Sequence, residues 1–432
     1  MTGRLPVLGA VVVLVGALAA PSAHAEPTPA PPPLTSTPPP GAAKPAPFAS
    51  VTTLNTDACP HRDVPPPAVD SSEVPKPGQM APTPLAVPTP AAGGLNGCGV
   101  LLPVGAPPAP AGIDSSGWLI ADVTAGKVLA AKDPHGRYRP ASTIKLLLAQ
   151  VALRELKLDT VVTGTLDDAS QEGDAVGLGP GGRYTVRDLL LGLLLLSGND
   201  CAHALAMQLG GIDATVAKMN ALASELGAHD TRAASPSGLD APGMSTSPYD
   251  LALILRAAMQ NPTFRELDTT KQAFLPGYPA RRDIPGDKDH PGYTMVNENQ
   301  LLFDVPGALG GKTGYTDDAK KTYAGAVERN GHQYVITQMF GLAYADNTYW
   351  DQFNRLLDYA LALPEGASVG AFGSTPEGAT AAPGGDAAPA GQSASGGHEG
   401  MSDGLRWAIG AAGAALVLVL VVAAVRAARG RE

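Results

Sequence analysis

The stretch from Pro140 to Leu153 constrains the fold of this chain more than any other. A proline followed by a run without Gly or Pro predicts a helix start that places Ser142 in or next to the first turn. Ser142 and Lys145 lie three residues apart, so their side chains are expected on the same face of that helix. Apolar residues fall on almost every side of it, which is typical of a buried helix. The lysine is therefore expected to be partly desolvated.

This pair of residues has a chemical consequence. Burial disfavours the ammonium form of Lys145 and lowers its pKa toward the range where the amine can take a proton from a neighbouring hydroxyl. A serine at a helix start also lies beside free backbone N–H groups that can hold an oxyanion. Ser142 is therefore a candidate nucleophile. The alternative is a helix-capping serine followed by a surface lysine, which Ser-x-x-Lys alone does not exclude.

Two segments precede the region that can fold into a core. Residues 1–25 contain an early arginine, an apolar run and Ala-His-Ala before Glu26, which is the pattern of a secretory signal peptide. The alternative is a retained N-terminal membrane helix. Residues 26–98 are dominated by Pro, Ala, Thr and Ser with few large apolar side chains, so we expect an extended, largely disordered spacer.

The chain has three cysteines. Cys59 and Cys98 flank the latter part of the spacer, and disulfides persist in the compartments that exported proteins reach. We predict that they pair, because closing a loop of that length is worth roughly 3 to 4 kcal/mol in the chain-entropy model. Cys201 lies in an apolar stretch and is expected to be a small buried core residue.

The C-terminal end carries a predicted membrane anchor. Residues 364–404 form a Gly/Ala/Pro tether, 405–425 an apolar segment long enough to span a bilayer, and 426–432 a basic tail. Together with the signal peptide, this predicts a single-pass membrane protein whose catalytic part is extracytoplasmic and whose C-terminus is cytoplasmic. The net charge of −10 argues against a nucleic-acid partner.

Residues 112–363 alternate apolar runs with turn signals and form the predicted globular domain. Hairpins are predicted at 118–131 and at 322–340, the second with an Asn330-Gly331 pair typical of a type I′ turn. Helical patterns occupy the region between them. This order predicts an α/β (α+β) fold, in which one antiparallel sheet assembled from both ends of the region is flanked by helices, with an added helical subdomain.

Three short motifs occur in a fixed order along the chain: Ser142-Thr143-Ile144-Lys145, Ser197-Gly198-Asn199 and Lys312-Thr313-Gly314. Each alone is a weak signal, because Ser197 and Asn199 could cap the following helix and Lys312 could be a surface residue at a strand start. In this order they match the set found in penicillin-binding proteins and class A β-lactamases, with Asp where this chain has Gly198.

Other motifs carry less weight. The stretch from Gly366 to Gly370 has the letters of a nucleophile elbow, but it lies at the head of the tether without a strand before it. A phosphate-binding P-loop is excluded because Pro306 stands where its first glycine is needed. The histidines have no metal-ligand spacing, and His203 beside Cys201 is expected to pack rather than bind an ion. We predict no metal and no other cofactor.

At these motifs the chain resembles the serine-type D-alanyl-D-alanine carboxypeptidases, which are low-molecular-mass penicillin-binding proteins of the β-lactamase-like superfamily. The resemblance implies a β-lactamase/transpeptidase-like fold and covers about Gly112 to Leu363. It extends to further stretches: Pro140-Ala141, Tyr184 to Leu190, Asp200, Pro236-Ser237-Gly238-Leu239, Asn297 to Leu302 and Gly311 to Thr316.

The resemblance also implies catalytic roles. Ser142 would attack the carbonyl of a terminal D-Ala-D-Ala peptide bond, and Lys145 would be the leading candidate to accept its proton. Ser197 would relay a proton toward the leaving amine. Asn199 would fix Lys145 and the substrate backbone.

The third motif would bind the substrate. Lys312 and Thr313 would hold its C-terminal carboxylate. Gly314 permits the substrate strand to approach closely, and the backbone N–H groups of Ser142 and Tyr315 would form the oxyanion hole. Thr316 completes the implied set of substrate-binding positions.

The implied activity is removal of the terminal D-alanine from peptidoglycan stem peptides, with β-lactams as inhibitors. One rival is a β-lactamase, which is disfavoured because the loop at 228–232 offers no glutamate for deacylation. A second is a non-catalytic penicillin-binding sensor or scaffold. The sequence leaves open the oligomeric state, the balance between carboxypeptidase and endopeptidase activity, the general base and the role of the spacer.

Overall fold

The computed structural model of the protein describes residues 53–89, 91–342 and 347–372. The predicted signal peptide, the first part of the spacer, most of the tether, the predicted transmembrane segment and the basic tail lie outside the described residues. Within the described ranges, no helix combines the length and the apolar character needed to cross a bilayer.

The strands of the described residues are β1 Val100–Leu101, β2 Ser115–Asp122, β3 Lys127–Lys132, β4 Val161–Thr163, β5 Arg183–Thr185, β6 Gln272–Leu275, β7 Tyr293–Val296, β8 Ala308–Thr316, β9 Lys320–Arg329, β10 His332–Gly341 and β11 Gly370–Ala371. Seven of them form the main antiparallel sheet, in the order β1-β3-β2-β10-β9-β8, with β11 also paired to β3. Two short pairs, β4-β5 and β6-β7, are separate from it.

The helices of the described residues fall mainly between β3 and β8. They are α1 Lys145–Glu155, α2 Leu166–Ala169, α3 Val186–Leu195, α4 Asn199–Gln208, α5 Ile212–Glu225, α6 Pro248–Gln260, α7 Pro262–Asp268, α8 Leu301–Asp304 and α9 Tyr349–Ala362. Local sequence sets several of their starts. Thr185 and Asp188 form a capping box at α3, and Ser247 caps α6 before a proline in its first turn.

The sheet lies between two apolar cores because side chains alternate along its strands. In β2, Leu119 and Ala121 pack in the core formed with the helical region, including α1, α3 and α6. Trp118 and Ile120 pack on the other side, in the core formed with α9. The predicted antiparallel sheet flanked by helices is therefore confirmed, as are both predicted hairpins. Asn330 and Gly331 have φ values of 53° and 80°, as a type I′ turn requires.

The spacer prediction is wrong for residues 53–89. This segment has almost no regular secondary structure, yet it lies against the domain and Thr56 is buried within it. Its backbone carbonyls accept hydrogen bonds from buried side chains of the domain, chiefly Arg137, which compensates for its low apolar content. The predicted disulfide between Cys59 and Cys98 is present, with 5.2 Å between the Cα atoms. We call residues 59–86 the strap.

The predicted boundaries at 112 and 363 are therefore too narrow at both ends. On the C-terminal side, Gly370 and Ala371 form β11 on the edge of β3, and Phe372 is buried in the core. The prediction of a flexible tether from residue 364 is thus wrong as far as residue 372. The Gly-x-Ser-x-Gly sequence, Gly366 to Gly370, leads into β11, and no helix follows it within the described residues.

Candidate active site

Ser142 lies in a short 3-10 turn, Ala141–Ile144, that leads directly into α1. The first residue of the turn has φ 49°, in the left-handed region that residues with a side chain rarely adopt. The carbonyl of Pro140 accepts hydrogen bonds from Thr143 Oγ1 at 2.6 Å and Thr322 Oγ1 at 2.8 Å. Because Thr322 belongs to β9, this second bond fixes the serine turn to the sheet.

Lys145 is fully buried at the start of α1, with 0% of its surface exposed. Its Nζ lies 2.8 Å from Ser142 Oγ, 3.2 Å from Ser197 Oγ and 2.6 Å from Asn199 Oδ1. Burial lowers the pKa of Lys145 well below its usual value, and the positive charge of Lys312 lowers it further. The alternative of a surface lysine is therefore wrong, and the amine is suited to accept a proton.

Ser197 lies between α3 and α4, Asn199 is the first residue of α4, and both side chains contact Lys145. Ser197 adopts φ 61°, a backbone conformation that costs about 1–3 kcal/mol and that is concentrated at functional sites. Asn199 Nδ2 donates to the carbonyl of Glu172 at 2.6 Å, while its Oδ1 accepts from the lysine. Gly198 is the cap of α4, and no side chain bonds there. The alternative in which these two side chains serve as helix caps is wrong.

Lys312 and Thr313 lie in the middle of β8, within the sheet, and not at a strand start. Lys312 is 1% exposed, and its Nζ lies 3.0 Å from the carbonyl oxygen of Thr313 and 3.4 Å from Thr313 Oγ1. Burial lowers the pKa of Lys312 to about 8, although the charge of Glu298 opposes this shift. Below that pH a cation lies beside a hydroxyl, which suits a carboxylate ligand.

At Gly314, strand β8 runs past the serine turn. A Cβ atom there would lie 2.4 Å from Thr322 Oγ1 and 2.9 Å from the Ser142 amide nitrogen. Only glycine permits so close an approach. The next residue, Tyr315, is half exposed, and Lys321 Nζ lies 4.6 Å from the centre of its ring.

These residues surround one cleft of about 420 Å³. Most of the sequence-predicted site residues line it: Ser142, Ser197, Asn199, Thr313, Gly314, Tyr315 and Thr316. The buried lysines, Lys145 and Lys312, contact the lining residues Ser142 and Thr313. Sequence reasoning assigned no role to several other lining residues, among them Asp174, Glu298, Lys321 and Tyr349. Of these four, only Glu298 falls in one of the short stretches quoted for the family resemblance, and the others belong to no motif.

Asp200 is a further residue whose role the sequence did not reveal. Its two carboxylate oxygens accept hydrogen bonds from the amides of Val176, Gly177 and Leu178 at 2.8 to 3.1 Å. These bonds hold the loop that carries Asp174 to the cleft. The one sequence feature that pointed to a role for Asp200 was its position directly after the second motif.

A buried acidic cluster lies in another part of the domain. His135, Asp230 and Asp250 bring one ligand atom each to within 4.8 Å of the others. Their hydrogen bonds account for the cluster without an ion, because Asp230 pairs with His135 and Arg137, and Asp250 accepts from Thr231. The cluster is therefore part of a buried hydrogen-bond network, in which Arg137 also donates to carbonyls of the strap.

Comparison with known proteins identifies the family. A profile of the D-alanyl-D-alanine carboxypeptidases matches residues 105–341. The D-alanyl-D-alanine carboxypeptidase DacB2 of Mycobacterium tuberculosis is 47% identical over 272 residues, which cover 62% of this chain and 89% of that protein. The carboxypeptidase DacF of Bacillus subtilis is 30% identical over 246 residues, 56% of this chain and 60% of that protein.

Solved structures of similar proteins support the same family. The crystal structure of the D-alanyl-D-alanine carboxypeptidase from Mycobacterium tuberculosis superposes with a TM-score of 0.58 at 46% identity and covers 63% of this chain and 100% of that one. The Streptomyces K15 DD-transpeptidase gives a TM-score of 0.54 at 29% identity, covering 60% and 100%. The chain is therefore a member of the D-alanyl-D-alanine carboxypeptidase family, the low-molecular-mass penicillin-binding proteins.

Proposed function

We propose that this protein is a serine D,D-carboxypeptidase that removes the terminal D-alanine from peptidoglycan stem peptides and is acylated by β-lactams at the same serine. The observation that carries the proposal is the position of Lys145 Nζ, fully buried and 2.8 Å from Ser142 Oγ. A neutral amine at this distance can act as the general base for a serine nucleophile.

In the first step, Lys145 takes the proton of Ser142 as Oγ forms a bond to the carbonyl carbon of the substrate. The developing oxyanion is held by the backbone N–H groups of Ser142 and Tyr315. Lys312 and Thr313 bind the carboxylate of the terminal residue and so align the scissile bond. Burial and the charge on Lys312 both lower the pKa of Lys145, which favours the neutral amine that a general base must be.

In the second step, the peptide C–N bond breaks and the leaving amine needs a proton. Ser197 Oγ lies 3.2 Å from Lys145 Nζ, so the proton taken from the nucleophile can reach the amine through this hydroxyl. Asn199 keeps the lysine in place through its 2.6 Å hydrogen bond. After D-alanine leaves, a water molecule attacks the ester carbonyl on Ser142 and gives a proton to Lys145. The bond from the carbonyl carbon to Oγ breaks, this proton passes from Lys145 to Oγ, and the peptide leaves with a new carboxyl group.

The experiment is an assay of free D-alanine after incubation of the full-length protein with a peptide ending in D-Ala-D-Ala. Ser142→Ala is expected to abolish release. Ser170→Ala is a control, because its hydroxyl is exposed and bonds only to the carbonyl of Leu166. Wild-type protein that releases no D-alanine would refute the activity and favour a sensor or scaffold.

The same preparation distinguishes the β-lactamase alternative. A penicillin is expected to form an ester at Ser142 that mass spectrometry detects as a lasting adduct, because the loop at 228–232 lacks the glutamate with which class A β-lactamases deacylate. Rapid turnover of the penicillin without a detectable adduct would favour a β-lactamase instead.

We also propose that the protein is exported and anchored to the cell membrane by residues 405–425, with the catalytic domain outside and the C-terminus in the cytoplasm. The support is the composition of residues 1–25 and of the apolar segment followed by arginines. Full-length protein is expected in the membrane fraction and a chain ending at residue 404 in the soluble fraction. Equal distribution of the two chains would contradict the anchor.

A further inference from the structure

The strap connects two parts of the domain that flank the cleft. Glu73 forms a bidentate pair with Arg139, a side chain only 2% exposed, with 2.7 Å between Arg139 Nη2 and Glu73 Oε2. The carbonyl of Pro66 accepts from the same guanidinium at 2.7 Å. Arg139 is three residues before Ser142, so the strap holds the chain that leads into the serine turn.

A second anchor lies on the strand side of the cleft. Asp318, which is 2% exposed, accepts a hydrogen bond from the Val69 amide at 2.5 Å, and Ser72 Oγ lies 3.5 Å from its other oxygen. Asp318 is two residues after Thr316, which lines the cleft at the end of β8. Val69 and Glu73 are four positions apart, so three residues of the strap separate its contact with Asp318, just after β8, from its contact with Arg139, just before the serine turn.

The rest of the strap is held firmly enough to act as a restraint. Arg137 donates to the carbonyls of Asp63, Leu85 and Ala86 at 2.7 to 3.0 Å, and Arg232 donates to the carbonyl of Thr83 at 2.9 Å. The disulfide from Cys59 closes its N-terminal end. All these strap residues precede residue 105, where the match to the family begins.

We propose that Glu73 is a positioning residue for acylation. Glu73 binds Arg139 on the side of the serine turn, and Val69 binds Asp318 on the side of β8, so the strap fixes the spacing between Ser142 and β8. This inference rests on the proposed function, in which the oxyanion is held by one N–H group from each side. A shift of about 1 Å between groups that must align on one carbonyl can reduce a rate by about 100-fold.

The test measures acylation of the full-length protein by a penicillin, with the rate constant of acylation and the dissociation constant of the initial complex determined separately. Glu73→Gln and Val69→Pro, which removes the amide donor to Asp318, are each expected to slow acylation by about 10-fold and to leave initial binding within threefold. Glu225→Gln is the matched control, because Glu225 forms a similar bidentate pair with Arg154 on the exposed surface.

The double variant provides the sharpest criterion. If the spacing depends on both anchors, loss of either one already releases it, and loss of the second does not slow acylation further. Glu73→Gln with Val69→Pro is therefore expected to acylate within twofold of the slower single variant. Val69→Pro removes one hydrogen bond from Asp318 but keeps the ion pair of Glu73 with Arg139, so it decides the question if Glu73→Gln does not fold. Acylation within threefold of wild type in the folded variants, whatever their melting temperatures, would overturn the inference and leave the strap a purely stabilising segment.

Failure of this inference is distinguishable from failure of the proposed function. Wild-type protein that forms no acyl-enzyme at Ser142 would refute the proposed function. Wild-type protein that is acylated, with variants acylated at the same rate, would refute only the positioning role of Glu73.

Discussion

Replacing Gly314 by alanine tests the central geometric claim, which is that β8 must pass close to the serine turn. The added Cβ would lie 2.4 Å from Thr322 Oγ1 and 2.9 Å from the Ser142 amide nitrogen, whereas ordinary contact begins at 3.4 Å. Relieving these contacts requires displacements of about 1.0 Å and about 0.5 Å. Since Thr322 Oγ1 also donates to the carbonyl of Pro140, the serine turn must move with it.

The expected result is a fall of about 10- to 100-fold in the rate constant of acylation, because groups that must align on one carbonyl are moved by up to about 1 Å. The free energy of unfolding should fall by about 1–3 kcal/mol, the usual cost of overpacking. Stopped-flow acylation by a penicillin measures the first quantity, and chemical denaturation measures the second.

A control separates loss of stability from loss of alignment. Gly227→Ala is expected to destabilise the domain through its φ of 76°, but a Cβ there contacts nothing within 4 Å. It should therefore leave the acylation rate unchanged. If Gly314→Ala acylates at the wild-type rate, β8 need not lie so close to Ser142 for the reaction, and the reasoning fails.

Two further predictions concern Lys312 and the disulfide. Affinity for a substrate with a free C-terminal carboxylate should fall as pH rises through about 8, where Lys312 loses its charge, and a C-terminal amide should show no such change in KM. The pKa of Lys312 is lower in the folded than in the unfolded chain, so between pH 8 and 10.5 the unfolded chain binds more protons. The free energy of unfolding should therefore rise with pH across this window, by about 3 kcal/mol at most, while the affinity for the carboxylate falls. A KM that does not change between pH 7 and 9.5 would contradict the assignment. Replacing Cys59 and Cys98 by serine should lower the free energy of unfolding by about 4 kcal/mol, since the bond closes a loop with a separation of 39 residues. A urea titration that shows a loss below 1 kcal/mol would refute this account.

Local sequence was sufficient for the longer helices of the domain and for two of its hairpins, β2-β3 and β9-β10. The run after Pro140 without Gly or Pro predicted the helix that became α1, and the Asn330-Gly331 pair predicted the turn between β9 and β10. These signals are local because a cap, a turn or a periodic apolar face depends on residues only a few positions apart. The order of the three motifs added the family and its expected chemistry.

The strap shows why local signals failed elsewhere. Proline-rich sequence with few large apolar residues predicts disorder, since it cannot bury enough surface to offset its loss of conformational entropy. Here the entropic cost of ordering the strap is offset by hydrogen bonds from Arg137 and Arg139 and by the disulfide. Each of these bonds joins residues that lie far apart in the sequence. Composition cannot report such partners.

By itself, the sequence determined the longer helices, the hairpins β2-β3 and β9-β10, the three motifs and the pairing of Cys59 with Cys98. Only the tertiary structure decided that Lys145 is buried against Ser197 and Asn199, which lie 52 and 54 residues away, and that Lys312 lies inside a strand. The physical reason is that the protonation and reach of a side chain depend on its burial and its neighbours, and both are set by contacts between segments that are distant along the chain.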